Sequence, residues 1–200
     1  MSFGFQTLGF MSGGVAPLEY INASGGTVTT DGDYKVHTFT SPGTFAVTSI
    51  GETAVPSTFR DKISYTVIAG GGGSGGRHGA GGFRANNNDA GGDFTPESPL
   101  AAPVSTFTVS ASPGSYPISV GSGGARVDGY ANGNSGGSSS GFSITSAGGG
   151  GGNTFNNRGS TAKSGGSGGG SSRSAPGGAG NTPPVTPSQG NPGGKSVPGP

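Results

Sequence analysis

Alternation of apolar and polar positions marks two blocks of β-structure, and no stretch shows the 3.6-residue period of a capped helix. Within residues 18–50, "TVTTDGDYKVHTF" holds two β-prone runs joined at Asp31-Gly32, which predicts a hairpin. In "YKVHTF", Tyr34, Val36 and Thr38 alternate with Lys35, His37 and Phe39. Ser41-Pro42-Gly43 predicts a tight turn, with Pro fixing φ and Gly supplying a positive one. "TFAVTSI" leaves that turn as the next strand. "DKISYTVIA", 61–69, places Ile63, Tyr65, Val67 and Ala69 on one face. The second block, "VSTFTVSASPGSYPISVG" at 104–121, repeats the plan. A strand enters Ser-Pro-Gly and leaves through Tyr116, as the first leaves through Phe45.

Strands then run straight into glycine, at "YTVIAGGGGSGG" and again at "FSITSAGGGGG", 142–152. Gly70, Gly73, Gly76, Gly79 and Gly82 occupy every third position. Three residues per turn is the period of the extended left-handed helix, which rises ~3.1 Å per residue and has no internal hydrogen bonds. Its backbone groups bond sideways to neighbours wherever side chains stay out of the contact. A continuous helix over 70–82 would be a rod of roughly 37 Å. Glycine runs at 70–82, 121–124, 148–152, 165–170, 177–180 and 190–194 suit a bundle of such rods. Flexible linkers are the competing reading, because ordering a glycine costs more backbone entropy than ordering any other residue.

The expected fold is therefore all-β: a jelly-roll-like β-sandwich with glycine-rich insertions packed as polyglycine II helices. The chain divides into an N-terminal arm (1–17), a first β block (18–69), a glycine-rich insertion (70–103), a second β block (104–147) and a glycine/proline-rich region (148–200).

Composition sharpens this picture. The 200 residues include 47 Gly and 15 Pro, and 28% are hydrophobic. That share of Gly and Pro is typical of low-complexity disorder. A formal net charge of only +1, with 11 Phe and 5 Tyr, is not. The glycines are also uneven, with 9 in residues 1–69 and 38 in 70–200. Without Cys there are no disulfides and no thiol chemistry, which points to stabilisation by oligomerisation or docking on a larger assembly. No apolar run approaches the ~18 residues of a membrane span. The first Lys is Lys35, so the N-terminus lacks the basic region of a secretory signal. Near-zero net charge argues against nucleic-acid binding through phosphate neutralisation.

Residue chemistry points away from catalysis. "GGGGSG", 70–75, fits a dinucleotide pattern, but no helix follows to hold a pyrophosphate. "GNPGGKS", 190–196, is one residue short of a P-loop. His37 and His78 are the only histidines and make no metal cluster. No serine sits in a nucleophile elbow. The expectation is a protein with no catalytic, cofactor-binding or metal residues. Binding is the function that remains, and aromatic and Arg side chains beside glycine are its natural anchors. The receptor-binding candidates are Arg77, His78, Phe83, Arg84, Tyr130, Phe155, Asn156, Asn157 and Arg158. Phe3, Phe5, Leu8 and Phe10, in an uncharged N-terminal stretch, are candidates for docking on a partner subunit.

The motifs also carry a resemblance. "DYKVHTFTSPGTFAV", "ISYTVIAGGGGSGGRHGAGGFR", "SPGSYPISVGSGG", "SSSGFSITSAGGGGG" and "GGAGNTPPVTPSQGNPGGKS" follow one another in the order that resembles a glycine-rich domain of bacteriophage tail-fibre and other virion proteins. The resemblance covers roughly residues 30–196. At a lower level the chain is similar to the receptor-tip adhesins of T-even-like phages, with packed polyglycine helices. It is also similar to the glycine-rich ectodomain of anaplastic lymphoma kinase, where such helices project from a jelly-roll-like module. The resemblance implies a non-enzymatic virion protein, a tail-fibre or adhesin subunit located in an external fibre. Its partners would be other virion proteins and a host cell-surface glycan or outer-membrane protein, with no nucleic acid and no membrane insertion. Analogy with other fibres allows a homotrimer. "GGKSVPGP" resembles the middle of such a domain, which implies a chain that continues. The alternative is a structural tail, baseplate or head-fibre component without receptor contact. An ice-binding protein built of glycine helices needs a regular Thr/Ala face, which the interspersed Arg, Asn and Phe interrupt.

Overall fold

The computed structural model describes residues 18–32, 34–73, 77–85, 107–112, 114–127, 131–154, 160–172 and 175–196. These form an all-β protein of small antiparallel sheets with no closed barrel. The strands are β1 (Asn22–Ser24), β2 (Thr27–Asp31), β3 (Tyr34–Thr38), β4 (Gly43–Ser49), β5 (Lys62–Ile63), β6 (Thr66–Ile68), β7 (Phe83–Ala85), β8 (Phe107–Thr108), β9 (Ser115–Ile118), β10 (Ser139–Gly141) and β11 (Ile144–Ser146). One helical turn, α1 (Ser57–Arg60), follows Pro56. Four residues are too few to carry an amphipathic period, so no helix signal is legible there.

The β2–β3 hairpin forms as expected, with Asp31 opposite Tyr34 and Gly32 at φ +54°. The expected single strand over 61–69 divides instead: β5 pairs with β8, and β6 pairs with β7. Its facing survives the division, because Val67 and Ala69 are buried while Ser64, Thr66 and Ile68 are exposed. The two Ser-Pro-Gly motifs do not join paired strands. The strands that follow them, β4 and β9, pair with each other, bringing Phe45 opposite Tyr116. The duplicated motif thus makes one shared ladder of the sheet β1-β4-β9, in which β4 is the middle strand.

Phe45, Val47 and Val109 are buried at the core of this module, against Phe39, Ile63, Phe107, Ile118 and others. Phe142 enters the same core from the β10–β11 turn. Its ring lies 5.6 Å from Phe45, 5.1 Å from Tyr65, 5.3 Å from Phe107 and 6.0 Å from Tyr116. Sequence pattern places Phe142 and Ser143 in a strand. They are the turn itself, at φ +53° and +63°.

Candidate functional site

The glycine segments pack into one body, and its order is written in backbone hydrogen bonds. Residues 147–153 run through the middle. The Gly149 and Gly152 N–H groups donate to Gly70 and Gly73 O, at 2.9 and 3.3 Å. Those of Gly150 and Asn153 donate to Ser167 and Gly170 O, at 2.9 and 3.0 Å. On the acceptor side, Gly149 and Gly152 O receive Gly136 and Gly133 N–H, while Ala147 and Gly150 O receive those of Gly82 and Gly79. Gly148 and Gly151 O receive the N–H groups of Gly166 and Lys163. Each contact recurs after three residues, and each goes to a different neighbouring segment. Buried backbone polar groups must find partners, and here neighbours supply them.

Glycine is required for space rather than for its dihedral freedom. Among the described residues, glycines with positive φ are Gly25, Gly26 and Gly32, all in the β-module. A Cβ added at Gly148, Gly150, Gly151 or Gly152 would fall inside 3.0 Å of a carbonyl oxygen of a neighbouring segment. Gly71 and Gly123 differ, with the nearest atom 3.8 Å away. The every-third register in the sequence therefore does not mark the contact positions by itself, since Gly72 and Gly81 are also closely approached.

The expected 37 Å rod over 70–82 is corrected. Ala69 N–H bonds Gly82 O and Gly72 N–H bonds Gly79 O, so 69–73 and 77–82 are two antiparallel passes. They continue the β6–β7 ladder, in which Ile68 faces Phe83. The β10–β11 ladder, with Ser139 opposite Ser146, continues likewise through Gly136 to Gly149 and Gly133 to Gly152. Strand register passes into the glycines unchanged, while the spacing of bonds goes from two residues to three.

This folding separates the sequence candidates. Arg77 and His78 are exposed on the bundle, and Arg77 Nη1 donates to Ser171 O at 2.8 Å. Phe83 and Arg84 lie further along the segment in β7, half-buried at the β end. Phe83 N–H donates to Gln189 O at 2.9 Å. Arg84 acts on Tyr65: burial pushes the Tyr65 hydroxyl pKa above its ordinary value, and the nearby guanidinium partly offsets that. Tyr130, Phe155, Asn156, Asn157 and Arg158, and the arm residues Phe3, Phe5, Leu8 and Phe10, lie outside the described residues.

Gln189 escaped sequence reasoning, as one amide beside Asn181 and Asn191 in a Gly/Pro-rich stretch with no periodic signal. It is 1% exposed and closes the β end of the bundle. Its Oε1 accepts Ala147 N–H at 2.7 Å, and its Nε2 donates to Pro183 O at 2.9 Å. Gln189→Ala leaves both backbone groups without these partners. We expect a loss of about 2–3 kcal/mol, read by denaturant unfolding, with faster hydrogen exchange at the Ala147 amide. Unchanged stability would show that this buried amide does not hold the junction.

An open cleft of about 260 Å³ beside Gly25, Gly26, Phe39 and Pro42 is smaller than the usual ~300–1,000 Å³ of ligand pockets. Among the described residues no group of His, Cys, Asp and Glu could hold a metal, and no helix is long and apolar enough to cross a membrane. No curated protein and no solved structure matches the chain. A family model for a glycine-rich domain matches residues 40–200, the span that holds both Ser-Pro-Gly motifs, the β4–β9 ladder and every glycine run of the bundle, and the chain belongs to that glycine-rich domain family.

Proposed function

We propose that the protein is a non-enzymatic virion component, a tail-fibre or adhesin subunit. Its N-terminal arm attaches it to other virion proteins, and its glycine bundle binds a host surface glycan or outer-membrane protein. The observation that carries this reading is the bundle. Its segments are tied backbone to backbone, and Arg77 and His78 are exposed on it. Such a body offers rigid placement for a few recognition side chains, which limits the entropy lost on binding. The finer fold reading belongs to the same proposal: a jelly-roll-like sandwich bearing polyglycine II helices. The three-residue recurrence of the lateral bonds supports the helices.

The experiment is adsorption. Purified full-length protein at saturating concentration is expected to block attachment of the phage to its host cells. No effect at saturation overturns receptor binding. The alternative, a structural tail, baseplate or head-fibre component, draws on Gly123 and Gly194. Both are exposed glycines that no close contact within the chain requires, and a neighbouring subunit's backbone could pack there. Glycine segments buried between subunits in the particle would favour that alternative, and a distal position the adhesin.

A further inference from the structure

Three segments bearing cations converge on one short glycine segment. Gly169 N–H donates to Lys163 O at 2.9 Å, Gly170 N–H to Arg77 O at 2.8 Å, and Ser171 N–H to Gly194 O, next to Lys195, at 3.0 Å. Consecutive N–H groups of a three-per-turn segment point to three different neighbours, so the segments that carry Arg77, Lys163 and Lys195 surround residues 169–171. All three are exposed. Arg77 is also fixed, since its guanidinium donates to Ser171 O.

Charge is sorted along the chain's architecture. The described carboxylates, Glu19, Asp31, Glu52 and Asp61, all belong to the β-module. The described glycine segments with β7 carry Arg77, Arg84, Arg126, Lys163 and Lys195 and no carboxylate. Asp89, Asp93, Glu97 and Asp128 lie outside the described residues. Among the described residues the glycine segments are therefore basic, while the whole chain totals +1. Exposed cations gathered on such a body attract a polyanion over about a Debye length of ~8–10 Å.

We propose that the bundle end around residues 169–171 binds an acidic polysaccharide, whose carboxylate or phosphate groups are taken by Arg77, Lys163 and Lys195. The proposal rests on the receptor-binding reading and names the class of receptor. The guanidinium supplies directional hydrogen bonds and the two ammonium groups act as point charges.

The test uses the full chain immobilised, with three probes: polygalacturonate for carboxylate, a phosphorylated lipopolysaccharide for phosphate, and neutral dextran as control. Binding of at least one acidic probe and not of dextran is expected, weakening about tenfold between roughly 50 and 200 mM salt, as for a few neutralised charges. The arm that binds identifies the anion. The Lys163→Gln/Lys195→Gln double variant removes only exposed ammonium groups. It is expected to keep the wild-type melting temperature and lose about tenfold in affinity. Equal binding of dextran, binding indifferent to salt, or wild-type affinity in the double variant overturns the proposal. Blocked adsorption together with any of these leaves the receptor-binding reading standing without it. Acidic-probe binding without blocked adsorption does the reverse.

Discussion

Gly151→Ala is expected to destabilise the protein by about 4 kcal/mol or more, or to prevent folding, while Gly123→Ala leaves it as stable or more so. Gly151 is buried in the central segment, and its Cβ would collide with the Gly133 carbonyl. The obstacle is backbone that is itself bonded, since Gly133 N–H donates to Gly152 O. It cannot rotate away as a side chain would. Overpacking of this kind costs ~1–3 kcal/mol where side chains adjust and more where backbone must move. At Gly123 a Cβ would meet its nearest atom at 3.8 Å, an ordinary contact, and φ is not positive. Alanine there mainly restricts the unfolded chain, a gain of ~0.4–1 kcal/mol. Thermal melts should differ by about 10 °C or more between the two variants. Equal melting temperatures would mean that the bundle is not packed through its glycine carbonyls.

The second large effect is expected at Phe142. A two-residue turn with both central φ positive usually takes Asn-Gly. Here Phe142 and Ser143 occupy it, and the left-handed conformation costs about 1–2 kcal/mol for a residue with a Cβ. The ring explains the choice. It sits among Phe45, Tyr65, Phe107 and Tyr116, on the hairpin whose open end becomes the centre of the glycine bundle. Phe142 thus ties the bundle to the aromatic core. Phe142→Ala should cost about 3 kcal/mol and weaken the near-ultraviolet circular dichroism of the aromatic cluster. Phe142→Asn separates ring from turn: asparagine suits the left-handed conformation better, yet it should destabilise almost as much. If the asparagine variant were as stable as the parent, turn conformation and not the ring would be what position 142 supplies. Ser143→Gly should be neutral or gain up to about 1 kcal/mol.

The candidate recognition residues were legible only as types. Arg77 and His78 stand in a glycine run, and the sequence marks them as side chains with room to be seen. It also grouped them with Phe83 and Arg84, which belong to a β-strand at the other end of the segment. Nothing in the order of residues could associate Arg77 with Lys163 and Lys195, whose segments meet through backbone bonds to 169–171. Gln189 was equally silent. Its importance comes from the Ala147 amide it faces, not from its neighbours in sequence.

What the sequence determined alone is local. Asp31-Gly32 specifies a hairpin because a tight turn needs positive φ. Alternation over 63–69 specifies a buried face because strand side chains alternate. Strands that continue into glycine announce backbone meant to lie against backbone. Which backbone lies against which was left to tertiary structure. Glycines carry no side chains to distinguish one partner from another, so a run of them encodes closeness without identity. The β6–β7 and β10–β11 ladders provide identity instead. Their side-chain pairs fix a register, and that register passes unbroken from Ile68 and Phe83 to Gly72 and Gly79. The fold-back of 70–82 and the central place of 147–153 follow from those anchors, which are non-local and so unreadable one segment at a time.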